Sequence, residues 1–340
     1  MKVLVTGAAG FIAGYLIPEL LQAGHEVVGL DNFSKYGRLR KSYDDHDRYA
    51  FVQGDAKDTD LMRELAAGCD QLVAGAAMIG GISYFHEFAY DLLAENERIL
   101  AATFDAAIDA LRGGRLAKIT VISSSMVYES VTVFPTPEGS QLTSPPPTST
   151  YGFQKLASEF FARGAWEQYR LPYTIVRPFN CVGIGERRAL RDGEIMSGNV
   201  RLAMSHVVPD LVQKVFKGQD PLHILGSGTQ VRHYTYGGDL ARGIRLCIES
   251  ERARNDDFNI STAERTTVRE LAELIWRKIN GPDRPLELAS DPPFEHDVPV
   301  RAPDVAKAEN LLGFRATTTL DQMLDEVIPW IRDEIAAGRI

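Results

Sequence analysis

The first 31 residues constrain the fold more than any other stretch of the chain. Lys2-Val3-Leu4-Val5 is a short apolar run of the kind that forms a buried parallel strand. Thr6-Gly7-Ala8-Ala9-Gly10 follows at once, and Phe11-Ile12-Ala13-Gly14-Tyr15 opens a helical pattern that reaches Leu21. Gly24 stops the helix, and Glu26 to Leu30 reads as a second strand ending on Asp31. Gly7 permits a tight turn, and Gly10 lets backbone approach a ligand with no Cβ in the way. The helix start then offers N–H groups and a positive dipole end to a pyrophosphate. Asp31 stands where an acid accepts hydrogen bonds from ribose hydroxyls and repels a 2′-phosphate. Strand, glycine turn, helix, strand and acid in this order predict a dinucleotide-binding unit that takes NAD rather than NADP.

At 340 residues the chain is long enough for one large α/β domain and a smaller lobe. The 37 Lys and Arg against 46 Asp and Glu leave a net charge of −9, which argues against a nucleic-acid or anionic-membrane partner. An anionic ligand therefore needs a local basic site. Cys69, Cys181 and Cys247 show no metal or redox spacing, so no metal is expected and a reducing, cytoplasmic location is. No secretory leader and no apolar run of spanning length is read from the sequence.

Further strands are read at Tyr49 to Val52, Gln71 to Ala74, Ile119 to Ile122 and Tyr173 to Val176, with long helices over 91–111 and 151–169. Ser149 or Thr150 caps the second of these helices. After Asn180 the texture changes. Gly183 to Asn199 is loop-like, 206–218 reads as a helix, and Asp257 to Ile260 rejoins the main sheet. Thr267 to Glu270 forms a capping box, and Pro329 is expected to kink a final helix. The expected fold is α/β, a Rossmann-type doubly wound parallel sheet over residues 1–180. A smaller substrate-binding lobe spans 181–340, with a segment near 235–262 returning to the sheet.

Tyr151-Gly152-Phe153-Gln154-Lys155 carries the chemistry. At i and i+4 on a helix the phenol and the ammonium share one face. A nearby cation favours the phenolate, as would a positive nicotinamide ring, so Tyr151 is expected to have a lowered pKa and to take a proton from a sugar hydroxyl near neutral pH.

The glycine spacing GxxGxxA, with Ala13 in the third place, and the Tyr-x-x-x-Lys pair resemble the extended short-chain dehydrogenase/reductases. The nucleotide-sugar members of that group often begin VTGGAGFIGSHL. Ser124, four residues before Tyr128, matches the hydroxyl of the family stretch S-[ST]-x-x-V-Y, with Ser125 next best. The resemblance implies a triad of Ser124, Tyr151 and Lys155. It also implies cofactor contacts from Gly7, Gly10, Phe11, Ile12, Asp31, Asn32, Ser34, Asp55, Ala56, Ala74, Ala76, Asn96 and Pro178, besides Tyr151 and Lys155. Asp55 would meet the adenine amino group. Asn96 would help seat the cofactor or, on its residue type alone, face solvent.

Arg177-Pro178-Phe179-Asn180 resembles the family's RPFN segment, in which Asn180 would contact the substrate diphosphate. His206 and Val207, ahead of Pro209, match a nucleotide-contacting segment. Arg232, in a stretch resembling GxGxQxR, and Arg301 would clamp the diphosphate as charged forked donors. Gly80 and Gly81 would face the sugar. Dehydratases of this group usually carry Asp-Glu after the catalytic hydroxyl, where this chain has Ser125 and Met126. The Ser124-to-Glu129 stretch, Gly80-Gly81-Ile82 and YTIVRPFNCVGIGE resemble a bacterial UDP-glucuronate/UDP-glucose 4-epimerase subgroup known from moenomycin biosynthesis. Ser125, Arg187, Arg188 and Arg191 are candidates to hold a glucuronate carboxylate, with a solvated loop as the plainer reading of the arginines. The resemblance further implies a homodimer through the helices near 91–111 and 151–169. Other readings are a GDP-mannose 3,5-epimerase-like enzyme, a nucleotide-sugar dehydratase or decarboxylase, a net dehydrogenase, and an NAD-binding regulator.

Overall fold

The computed structural model describes residues 1–79, 88–187, 189–190, 195–202, 206–293 and 298–340. Seven parallel strands form the central sheet: β1 (Lys2–Thr6), β2 (Glu26–Asp31), β3 (Tyr49–Gln53), β4 (Gln71–Ala74), β5 (Lys118–Ile122), β6 (Tyr173–Pro178) and β7 (Asp256–Ile260). Their spatial order is β7-β6-β5-β4-β1-β2-β3. The order reverses between β1 and β4, which leaves a crevice at their C-terminal ends where such sheets bind ligands.

Side chains alternate across the sheet with period two, so each strand feeds two cores. Val3 and Val5 of β1 pack on one face with Leu16, Ile17 and Leu20 of α1 (Phe11–Gln22) and Leu240 and Ile244 of a later helix. Leu4 packs on the other face with Met62 of α2 (Thr59–Ala67), Phe104 of α3 (Ala89–Arg112) and Ala162 of α4 (Thr150–Tyr169). Both faces are covered, so the strands read as near-continuous apolar runs.

The smaller lobe has its own core. Val212 of α5 (Val207–Phe216), Leu271 of α7 (Val268–Asn280) and Met323 of the C-terminal helix meet there. Between these elements, α6 (Gly237–Glu249) and β7 return to the main sheet. Helix α8 (Ala306–Leu312) does likewise, since Ala308 and Phe314 pack into the core around α1 and α6.

Element boundaries move by a few residues from those expected. Ser149 caps α4, its hydroxyl accepting from Gly152 N at 3.0 Å. The helix expected over 206–218 begins after His206, which stands at its N-cap. The capping box at Thr267 and Glu270 is present. The final helix, α9 (Leu320–Ala336), continues through Pro329. No described helix is long and apolar enough to cross a membrane.

Candidate active site

The crevice between β1 and β4 is built by close backbone packing. Gly7 has φ +76°, and a Cβ on it would stand 2.9 Å from the Gly75 carbonyl oxygen. Only glycine tolerates both conditions. Thr6 ties the two strand ends together. Its hydroxyl donates to the Val73 carbonyl at 3.2 Å and accepts from Gly75 N and Ala76 N at 3.1 Å each. Thr6 was not singled out from the sequence. Its position before a glycine turn was the one available signal.

Helix α1 opens at Gly10 with no side-chain cap and no acid in its first turn, so its leading N–H groups have no side-chain acceptor. Phe11 and Ile12 form that first turn. Asp31 accepts from Ala9 N at 3.0 Å with one oxygen and from Phe33 N at 2.7 Å with the other. Each oxygen keeps a lone pair for a ribose hydroxyl. Asn32 donates to Asp55 at 3.2 Å and accepts from Ser34 N at 3.0 Å, so these three candidates form one rim. Ala56 lies buried beside Asp55, and Ala74 ends β4 just before Gly75 and Ala76. This donor-lined, uncapped cradle fits a dinucleotide pyrophosphate with its ribose on Asp31.

Of the two readings of Asn96, the solvent-facing one does not hold. Asn96 is buried. Its amide accepts from Met78 N at 2.7 Å and donates to Met78 O at 2.9 Å. Asn96 therefore holds the chain after β4 in place.

The two hydroxyls expected to do chemistry come together. Ser124 precedes a short 3-10 turn (Ser125–Tyr128), its Oγ accepting from Met126 N at 3.2 Å. Tyr151 lies close enough to Ser124 for that side chain to favour its phenolate. The ammonium of Lys155 lies 5.9 Å from the centre of the Tyr151 ring and donates to the Ile122 carbonyl at 3.0 Å. Lys155 does not by itself lower the Tyr151 pKa as expected, and the nicotinamide charge that the expectation also counted is a separate contribution. Burial raises the Tyr151 pKa, while the Ser124 side chain and the Arg301 charge pull the other way. Desolvation also pushes Lys155 down to about 8. In a buried site with no ligand charge, the cost of desolvating the phenolate outweighs these compensations.

Ser125 is buried and lines a cavity with Tyr128, Glu129, Thr136, Phe179 and Arg301. Arg232 and Arg301 are brought near each other through Val231. Arg301 N donates to the Val231 carbonyl at 3.1 Å, and the Arg232 guanidinium donates to the same oxygen at 2.9 Å. Asn180 has φ +35°, and its amide donates to His233 O at 3.3 Å. Pro178 ends β6 two residues earlier. His206 pairs with Glu186, and Val207 opens α5.

Arg187, a candidate for the sugar carboxylate, is paired within the protein. It forms an ion pair with buried Glu334 at 2.8 Å and lies over the Trp330 ring, so its charge is engaged by α9. Gly80, Gly81, Arg188 and Arg191 lie outside the described residues.

Beneath the site runs a polar network that the sequence did not disclose. Arg177 is fully buried. It donates to both oxygens of Glu159 at 2.7 Å, to the Tyr128 hydroxyl at 2.9 Å, and pairs with Asp257 at 2.6 Å. Glu159 also accepts from Ser123 at 2.7 Å and Gln141 at 3.0 Å. β6, α4, β7 and the serine-bearing strand end are thereby joined. No spacing rule connects residues so far apart in the chain.

Residues 3–261 match the model of the NAD dependent epimerase/dehydratase family. A putative UDP-glucose 4-epimerase of Methanocaldococcus jannaschii is 26% identical over 333 residues, covering 97% of this chain and 98% of that protein. The UDP-glucose 4-epimerase of Thermotoga maritima, solved with UDP-glucose, superposes with a TM-score of 0.80 at 27% identity, covering 98% of this chain and all of that one. The UDP-glucuronic acid 4-epimerase of Bacillus cereus, solved with UDP-glucuronic acid and NAD, gives a TM-score of 0.80 at 24% identity, covering 98% and 99% of the two chains, and shares the fold. With the uncapped glycine cradle, the ribose-side acid and the hydroxyl pair on one parallel sheet, the chain belongs to the NAD-dependent epimerase/dehydratase family.

Proposed function

We propose that this chain is a UDP-sugar 4-epimerase that interconverts UDP-glucuronate and UDP-galacturonate, with UDP-glucose and UDP-galactose as a second pair. The observation that carries this reading is Ser124, after the end of β5, beside Tyr151 in the first turn of α4, with Ser125 and Met126 following Ser124. Neither residue that follows Ser124 can act as the acid or base that elimination of water requires. The 4-epimerases among the similar proteins support the same reading.

NAD would lie on the Gly7–Gly10 turn and Asp31, where it supplies the hydride acceptor and a positive ring that favours the phenolate. Tyr151 accepts the C4 hydroxyl proton as that carbon becomes a ketone, and returns it after the ring has turned. Ser124 holds the C4 oxygen against Tyr151. Lys155 contributes charge from beneath the phenol while anchored on Ile122. Arg232 and Arg301 take the diphosphate. Ser125, inside the cavity beside Arg301, faces the sugar and offers a donor to its C6 group. Two such chains pair through α3 and α4, where Phe153 and Phe160 are exposed seven residues apart on one face.

Incubation with UDP-glucuronate, UDP-glucose and GDP-mannose, followed by NMR of the sugar ring, tests the assignment. Inversion at C4 alone is expected, and inversion at C3 and C5 overturns it. The Tyr151→Phe variant is expected to lose turnover while keeping bound NAD. Undiminished turnover removes Tyr151 from the mechanism.

A further inference from the structure

Glu129 follows the serine-bearing turn directly, and its carboxylate is committed to the helix that carries Tyr151. One oxygen accepts from the Thr148 hydroxyl at 2.5 Å and from Ser149 N at 3.1 Å. The other accepts from the Ser149 hydroxyl at 2.5 Å. Ser149 is the N-cap of α4, and its oxygen in turn accepts from Gly152 N. Glu129, the cap and the residue after Tyr151 thus form one chain of hydrogen bonds.

The fit between the two turns is close. A Cβ on Gly152 would stand 2.9 Å from the Glu129 carboxylate, 2.9 Å from the Met126 carbonyl and 2.7 Å from the Pro147 side chain. Gly152 has no unusual backbone angle to explain its identity, so the near approach of the two turns does. A carboxylate at a helix N-terminus is also favoured by the helix dipole. The turn clamped by Glu129 carries Ser124, and the clamped helix presents Tyr151. Glu129 therefore spans the two segments whose hydroxyls must meet.

We infer that Glu129 is a positioning residue that sets the distance and angle between the Ser124 and Tyr151 hydroxyls. The inference rests on the reading of that pair as the proton-transfer site. Misplacement of a reacting group by a fraction of an ångström to 1 Å lowers rates by up to about 100-fold without loss of binding. Glu129→Gln keeps the shape but turns a donor toward Ser149, whose hydroxyl then loses its acceptor.

The test compares Glu129→Gln, Tyr151→Phe and the double variant, using whichever of UDP-glucuronate and UDP-glucose the unaltered enzyme turns over. Rates are referred to the amount of folded, NAD-loaded protein. Glu129→Gln is expected to lower kcat by roughly 10- to 100-fold with KM nearly unchanged. In the Tyr151→Phe background the same change is expected to cost almost nothing further, because the group being positioned is gone. Ser149→Ala, which breaks the same chain of hydrogen bonds one step on, is expected to reproduce the split in weaker form. A Glu129→Gln enzyme with unaltered kcat per folded molecule overturns the inference, as does equal loss in both backgrounds. Should Tyr151→Phe itself retain full turnover, it is the proton-transfer reading that fails.

Discussion

At the scale of single residues, burial rather than spacing governs the chemistry. Tyr-x-x-x-Lys marks two groups on one helix face, but the charge state of each depends on how completely it is buried. Lys155 has a folded pKa of about 8, below its ordinary value of 10.5. The native state is therefore penalised while this lysine is charged. The penalty is full below pH 8 and vanishes as pH rises past 10.5. Lys155→Met is expected to be more stable than the unaltered protein below pH 8, by up to about 3 kcal/mol before the lost Ile122 contact is counted. That advantage should shrink between pH 8 and 10.5, as read from denaturant midpoints of the two proteins across that range. Gly7 illustrates the opposite dependence, on backbone alone. With φ at +76° and an added Cβ brought to 2.9 Å from the Gly75 carbonyl oxygen, inside van der Waals contact, Gly7→Ala is expected to cost about 1–3 kcal/mol. It should also weaken NAD binding, as titration calorimetry would show.

At the scale of elements, local signals transferred well into structure. The glycine turn, the capping box at Thr267 and the strand at Gln71–Ala74 depend on neighbours within a few residues, so the sequence displays them directly. Helix α9 carries a second capping box, Thr319 with Gln322, which went unread although its pattern is as local. Thr319→Ala is expected to lower stability by about 1 kcal/mol. The readout is the midpoint of urea unfolding. Arg187 shows where local reading stops. A loop arginine near a sugar site is a reasonable ligand for a carboxylate, yet Glu334 on α9 pairs with it across 147 positions of chain.

At the scale of the whole molecule, one sheet and its crevice organise both lobes, and among the described residues α3 and α4 carry large exposed side chains. Phe160 is 57% exposed and Tyr90 77%. The exposed Phe153 and Phe160 on one face of α4 suit a two-fold contact with a second copy. Light scattering is expected to report a dimer, and Phe160→Glu a monomer that still binds NAD. A monomeric unaltered protein would remove the pairing from the proposal. What the amino-acid order alone determined is the doubly wound sheet and the glycine turn with an acid at the end of its second strand. Both are written in periodicity, glycine placement and short motifs, because the forces behind them act within a helical turn or a strand pair. Only the tertiary structure decided that Asn96 braces backbone, that Arg187 serves α9, that Arg177 lies fully buried among Glu159, Asp257 and Tyr128, and that Glu129 bridges the two reactive turns. Those outcomes come from desolvation and from partners distant in the chain, and both exist only once the layers have closed on one another.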